Sequence, residues 1–211
     1  MKITEIERTK KGRYSLFVDG EFLFSIHIDV LGAHHIKVGD EFTVQQLEEI
    51  RLESEFKSAK ERALSLLSRS AMTKKRLYDK LAQYNDPEIC QKTVQRMEEI
   101  GLINDKEYAV RFCKELAENK GYGMARIRRE LILRGLEKEL VEETLEAMAQ
   151  KAEADPRTKI TEIINQKYKN YLVDLKGRAR LISVLVRLGY RYDDIRDVIN
   201  RMVKDEEIYG D

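Results

Sequence analysis

Histidines, cysteines and paired carboxylates are the residues from which a chain builds catalytic and metal sites, and here they are few or scattered. The 211 residues hold three histidines, His27, His34 and His35, all near the N-terminus. A metal centre built on them needs a carboxylate or another ligand carried in by the fold, since no His-Glu-x-x-His helix accompanies them. Cys90 and Cys113 stand alone, without metal or redox spacing, and read as buried reduced thiols suited to a reducing cytoplasm. No Gly-rich loop ends in Gly-Lys-Ser/Thr. The carboxylates gather at helix starts and in acidic runs, and none marks a pair with separated pKa values. The expectation is a protein with no catalytic residues, no metal site and no cofactor, and not an enzyme.

What recurs instead is cationic. Formal net charge is only +1, but the distribution is uneven. Lys57 to Lys80 holds eight basic residues against two acids, Lys120 to Arg134 five against one, and Arg157 to Arg191 nine against two. Glu137, Glu139, Glu142, Glu143 and Glu146 are opposed only by Lys138. Such runs suit solvated helix faces, and equally a stripe that lies against phosphates or an acidic protein groove.

The elements that carry these cations repeat. Arg126-Ile127-Arg128-Arg129-Glu130-Leu131 aligns with Arg76-Leu77-Tyr78-Asp79-Lys80-Leu81 and with Arg180-Leu181-Ile182-Ser183-Val184-Leu185. Thr73, Gly123 and Gly177 precede each copy as helix N-caps, and Asn85, Gly135 and Gly189 follow as stops. With one gap in the first copy, Val94-Met97, Leu145-Met148 and Ile199-Met202 fall in register. A period of roughly 50 residues signals stacked helical units.

The N-terminus differs. Lys2 to Ile6 alternates like a strand, and Tyr14 to Val18 and Glu21 to Ser25 flank Asp19-Gly20, a hairpin signal. Three or four strands are expected, packed on the next helix, with Tyr14, Phe17, Phe22 and Phe24 as core rather than as base-stacking platforms. That helix opens at Thr43 with Gln46 as its capping box and continues to Leu67, whole or broken near Ser54. Further helices are expected over Thr73 to Tyr84, from Asp86-Pro87 to Gly101, and from Asn104-Asp105 with Tyr108, Ala109, Phe112, Cys113, Leu116 and Ala117 on one face. Next come the 123–134 helix and one lined by Leu140, Val141, Thr144, Leu145 and Met148. The third repeat follows Asp155-Pro156, with Ile160, Ile163, Ile164, Tyr168, Tyr171 and Leu172 on one stripe, then Gly177 to Leu188 and Asp193 to Val203. Lys151 to Asp155 reads as a hinge.

The reading is a mainly α chain. A small β-rich element (1–43) precedes three three-helix repeats (44–103 with the linking helix, 104–150 and 151–211) in an elongated, curved array. No apolar run reaches membrane-span length and no signal peptide opens the chain, so a cytoplasmic protein is expected.

Gly101-Leu102-Ile103-Asn104-Asp105-Lys106-Glu107-Tyr108-Ala109 resembles the Gly-Leu-x-Asn-Asp-x-x-Tyr-Ala signature of the RecX regulators of bacterial RecA recombinase. The helix after Gly123 is similar to that family's Gly-x-x-x-Ile-x-x-Glu-Leu-x-x-Lys-Gly, with Arg134 where Lys is usual. Thr73, Leu77 and Leu81 match a Ser-x-x-x-Leu-x-x-x-Leu segment, with Thr for Ser and Arg76 where Glu is usual. The resemblance spans roughly residues 55 to 203, and the N-terminal extension looks like that of Gram-positive members.

The resemblance implies a non-catalytic regulator of tandem repeats. Such a protein binds the RecA–DNA filament along its groove and restrains ATP hydrolysis, strand exchange and repressor cleavage in recombination and the SOS response. Some members bind single- or double-stranded DNA directly, which leaves competition for DNA as an alternative beside a helical-repeat adaptor. A monomer with no membrane partner is expected. From their recurring positions, Lys74, Lys75, Arg76, Arg126, Arg128, Arg129, Arg134, Lys176, Arg178 and Arg180 are the contact candidates. Tyr122, Tyr190 and Tyr192, at turns beside basic helices, have a more open role.

Overall fold

A computed structural model describes residues 1–10, 12–151 and 155–209. The expected hinge at 151–155 falls largely outside the described residues. The chain divides into two compact units, Met1–Asn104 and Asp105 onward.

In the first unit, β1 (Ile3–Arg8), β2 (Tyr14–Val18) and β3 (Glu21–Ile26) form an antiparallel sheet in the order β1-β2-β3. Asp19 and Gly20 both have positive φ, 49° and 91°, as a two-residue hairpin turn requires. Among the described residues the sheet has three strands, and Glu41 adds one isolated bridge to Lys2. The sheet buries Ile3, Leu16, Val18 and Ile26 against Leu47 and Ile50 of α2 (Val44–Leu67). Of the four aromatics expected in this core, Tyr14 and Phe24 pack against it. Phe17 and Phe22 instead meet edge-on, centroids 5.9 Å apart, and Phe22 stays exposed. Bulges in both strand pairs break the strict alternation that would have assigned them.

A short helix, α1 (Ile28–Ala33), was not expected between sheet and α2. Its cap is His27, whose Nδ1 accepts from the Asp29 N–H at 3.1 Å, a role rarely sought in histidine. Helix α2 runs unbroken through Ser54 and starts with the expected box, Thr43 and Gln46 each satisfying the other's backbone N–H. Then α3 (Lys74–Leu81) and α4 (Pro87–Glu99) complete a bundle with the end of α2 around Ala63, Leu77, Leu81, Cys90, Val94, Met97 and Ile103. Helix α3 is shorter than expected. Asn85 turns back on it, N–H and Nδ2 both donating to Leu81 O.

The second unit contains α5 (Asp105–Glu118), α6 (Met124–Leu133) and α7 (Lys138–Lys151), then α8 (Pro156–Ile163), α9 (Leu175–Leu188) and α10 (Tyr192–Tyr209). Helix α6 ends in a reciprocal pair of bonds, Gly135 N–H to Ile132 O and Leu136 N–H to Leu131 O. Gly135 sits at φ 76°, where a Cβ is unfavourable. Each triplet closes on its own cluster, one around Ile127 and Leu131, the other around Leu181 and Leu185. The aligned trios Leu77/Ile127/Leu181 and Leu81/Leu131/Leu185 are all fully buried, as the repeat alignment requires.

Two details depart from expectation. The stripe from Ile160 to Leu172 is buried or half-buried, but α8 gives way to a π-helical turn (Ile164–Tyr168) and a 3-10 turn (Lys169–Leu172). Gly177 is not the N-cap of α9: Asp174 is, its Oδ1 accepting from the Gly177 N–H at 2.5 Å. A glycine side chain has nothing to offer an orphan N–H, whereas Asp does. Gly177 serves close packing instead, for a Cβ there would lie 2.5 Å from Tyr171 O.

Candidate partner interface on the second helices

Helices α3, α6 and α9 each bury one apolar stripe, and most of their other positions face solvent. The ten cationic candidates on these helices divide into three groups by what they touch.

Arg76, Arg129, Lys176 and Arg180 are exposed and have no hydrogen-bond or ion-pair partner among the described residues. Lys74, Lys75 and Arg128 are tied by surface ion pairs, to Glu98 (3.0 Å), Asp79 (2.7 Å) and Glu142 (2.6 Å). The hydrogen bond to Asp79 raises the Lys75 pKa. Exposed pairs of this kind hold weakly and can be exchanged for another anion. Lys74 and Lys75 also border an open groove between α3 and α4, lined by Tyr78, Gln91, Gln95 and Glu98.

Arg126, Arg134 and Arg178 are engaged with the protein itself. Arg134 stacks on Phe112 (3.8 Å to the centroid) and donates to Tyr108 Oη (3.0 Å) and to both the carbonyl and carboxylate of Glu130. A planar guanidinium can do this, whereas the Lys usual in the resembled motif lacks the fork and the flat face. Arg178 donates from Nε to Leu172 O at 2.7 Å. Arg126 lies over the Tyr122 ring (3.9 Å) and donates to Arg187 O.

The tyrosines follow the same logic. Tyr122 is covered by Arg126, and Tyr190 Oη donates to Gly121 O at 3.2 Å. Burial pushes the Tyr190 phenol up to about 12. Tyr192 is left exposed.

A second basic surface, in the first unit, draws Lys60 and Arg62 from the Lys57–Lys80 run and adds Lys92 and two aromatic rings that were not named as contact candidates. Lys60 and Lys92 both approach the Phe56 ring, at 4.7 and 4.9 Å, and Arg62 covers exposed Tyr84 at 3.9 Å. None of these three cations has an acidic partner among the described residues. The i, i+4 spacing of Phe56 and Lys60 was a readable signal; Lys92 and Tyr84 arrive only through the fold.

The fold does bring carboxylates to a histidine. His27, Asp29 and Glu61 place ligand atoms within 4.8 Å of one another. Their atoms are already engaged: Nδ1 accepts the Asp29 N–H, which leaves the proton of the neutral ring on Nε2, facing Glu61 at 3.0 Å. Asp29 is held by Lys57 at 2.7 Å. The arrangement works as a helix cap and tether. Cys90 and Cys113 are buried, and burial raises both thiols, Cys113 to about 11, away from reactivity.

Tandem three-helix units with cationic second helices and a small sheet in front define a class of helical-repeat protein. The RecX second three-helix domain matches residues 104–145, and the Regulatory protein RecX N-terminal domain matches residues 1–43. A curated protein named Regulatory protein RecX, from Caldanaerobacter subterraneus, is 33% identical over 202 residues, covering 95% of this chain and 99% of its own. One of the same name from Clostridium tetani is 25% identical, over 96% and 94% of the two chains. A crystal structure of regulatory protein RecX superposes with a TM-score of 0.66 at 22% identity, over 97% of this chain and 99% of that one. RecX from Lactobacillus salivarius gives 0.61 at 21% identity, over 71% and 97%. The chain belongs to the RecX family of regulatory proteins. No helix among the described residues is long and apolar enough to cross a membrane.

Proposed function

We propose that this protein is a non-catalytic, cytoplasmic regulator that binds the RecA–DNA filament along its groove as a monomer. Bound there, it restrains RecA ATPase, strand exchange and coprotease activity. Family membership supports RecA as the partner. The observation that carries the mode of contact is the set of exposed cations on the second helices with no hydrogen-bond or ion-pair partner among the described residues: Arg76 on α3 and Arg180 on α9 at aligned positions, with Arg129 on α6 and Lys176 on α9. Lys74, Lys75 and Arg128 join them by exchanging surface ion pairs for acidic groups of the filament. Contacts spread over repeats add up, so each can be weak. Charge of this kind also speeds encounter with a polyanionic assembly.

A second reading, direct binding of single-stranded DNA, is favoured by Phe56, Lys60, Lys92, Arg62 and Tyr84. Aromatic rings interleaved with cations that have no acidic partner among the described residues suit stacked bases and phosphates. RecA ATPase on single-stranded DNA, followed as the protein is titrated in beside its binding to the same DNA alone, separates the two. Inhibition well below the concentration that coats naked DNA supports action on the filament. Inhibition only at saturation of the DNA supports competition, and no effect at any concentration overturns both.

A further inference from the structure

The turns before α6 and after α9 meet main chain to main chain. Gly123 N–H donates to Leu188 O at 2.8 Å, Tyr190 Oη to Gly121 O at 3.2 Å, and Arg126 Nη1 to Arg187 O at 3.2 Å. No side chain fits between them. A Cβ on Gly123 would fall 2.5 Å from Gly189 O and 2.6 Å from the Gly189 carbonyl carbon, and one on Gly189 would fall 2.5 Å from Arg126 N. These neighbours are backbone atoms at helix ends, so they cannot swing aside as a flexible side chain would. Gly123 has φ −77°, a value open to any residue. Its own backbone conformation does not call for glycine there; the facing repeat does.

We propose that Gly123 and Gly189, with Arg126 and Tyr190, are positioning residues that lock the second and third repeats into one rigid body. The lock fixes the separation of Arg129 on α6 from Arg180 on α9. A partner then meets one bivalent ligand, and the second contact forms at the high effective concentration that a fixed geometry gives. Arg126 accordingly belongs to the lock and not to the contact surface. The lock is independent of the partner's identity; its effect on binding rests on the filament reading above.

The test labels the full chain with spin probes at Ala125→Cys and Ala179→Cys, both exposed positions, while buried Cys90 and Cys113 stay unlabelled. The parent should give one narrow distance distribution. Gly123→Ala must push main-chain atoms back by about 1 Å to restore ordinary contact, so a shifted or broadened distribution is expected with helix content retained. Arg126→Ala with Tyr190→Phe removes two of the three cross-repeat hydrogen bonds without a clash. It should broaden the distribution even if Gly123→Ala fails to fold. A distribution unchanged in this double variant, or in folded Gly123→Ala, overturns the lock. In the binding arm, folded Gly123→Ala should bind RecA filaments about tenfold more weakly with Arg129 and Arg180 untouched. Equal affinity despite broadened distances overturns the bivalent role. A parent that does not bind filaments overturns the proposed function instead and leaves the distance result to decide the lock.

Discussion

The two halves of the chain join their parts by different chemistry. In the first unit the sheet is held to α2 by side chains. The Arg13 guanidinium reaches Ser25 O, Ser58 Oγ and Ser54 Oγ, while Ser54 Oγ accepts the His27 N–H at 2.8 Å. Lys57–Asp29, His34–Glu53 and His27–Glu61 surround this clamp. In the second unit the corresponding joint is main chain against main chain, through Gly123 and Gly189. A side-chain clamp gives way by losing hydrogen bonds one at a time. A glycine contact has no intermediate state, because the first added carbon already collides. The first joint should fail by degrees and the second abruptly.

The largest effect should come from neither joint but from the cores they connect. Leu131→Ala empties a fully buried position in the second repeat, and Leu77→Ala its counterpart in the first. Each should cost about 2–5 kcal/mol in urea unfolding. If only one unit's transition moves in each variant, the two cores are energetically separate. A single shared transition would instead mean that the units unfold together.

Arg13→Ala comes next. It removes a donor to Ser25 O and one of the partners of fully buried Ser54, so a loss of about 1–3 kcal/mol is expected. Arg13→Lys should recover only part, since an ammonium cannot reach three acceptors in a plane. Full recovery by lysine would mean that charge, rather than fork geometry, holds the sheet.

These joints also mark the limit of what the sequence disclosed. The repeat, the capping box at Thr43, the Asp19-Gly20 turn and the core stripes were all legible, because each is local or periodic. Arg13 sits in a loop with no pattern around it, and its partners lie 12, 41 and 45 residues away. Gly123 read as a flexible cap, and nothing local says that Gly189 faces it. The cations were legible as positions but not as roles. Arg126 and Arg129 lie on one short helix that Arg134 caps, yet one joins repeats, one has no hydrogen-bond or ion-pair partner among the described residues and one stacks on Phe112. Helical spacing tells which face a residue occupies, and only the packed neighbours tell what that face meets.

The second joint carries an alkaline pH signature in a half-buried phenol. Tyr190 titrates from an ordinary 10.0 up to about 12 in the folded protein, because burial disfavours the phenolate. A folded pKa above the unfolded one means that the folded state holds the proton more tightly. The associated stability is complete below pH 10 and is lost as pH rises toward 12. Tyr190→Phe should flatten this part of the stability curve while costing about 0.5–1.5 kcal/mol at neutral pH for the hydrogen bond to Gly121. Cys113, raised from 9.0 to about 11, and Cys90, also raised, add separate alkaline losses, as do Lys57 and Lys75, so the tyrosine's share is read as the difference between Tyr190→Phe and the parent. An unchanged alkaline slope in Tyr190→Phe would place the loss elsewhere.

The smallest change in stability should accompany the largest change in binding. Arg129 and Arg180 are exposed, belong to no hydrogen bond or ion pair among the described residues, and lie outside both joints. Arg129→Glu with Arg180→Glu should leave the melting temperature where it was, as exposed substitutions away from packing features generally do. Filament affinity should fall, and its dependence on salt should become shallower, because two favourable charges become two repulsive ones. Arg134→Ala is the counter-case. It removes the Phe112 stack and the Tyr108 bond, and should lower the melting temperature with less effect on filament affinity. Were Arg134→Ala to cost more binding than the double reversal, the sorting of cations by their intramolecular partners would be overturned. The contact surface would then have to be drawn through the packed arginines instead.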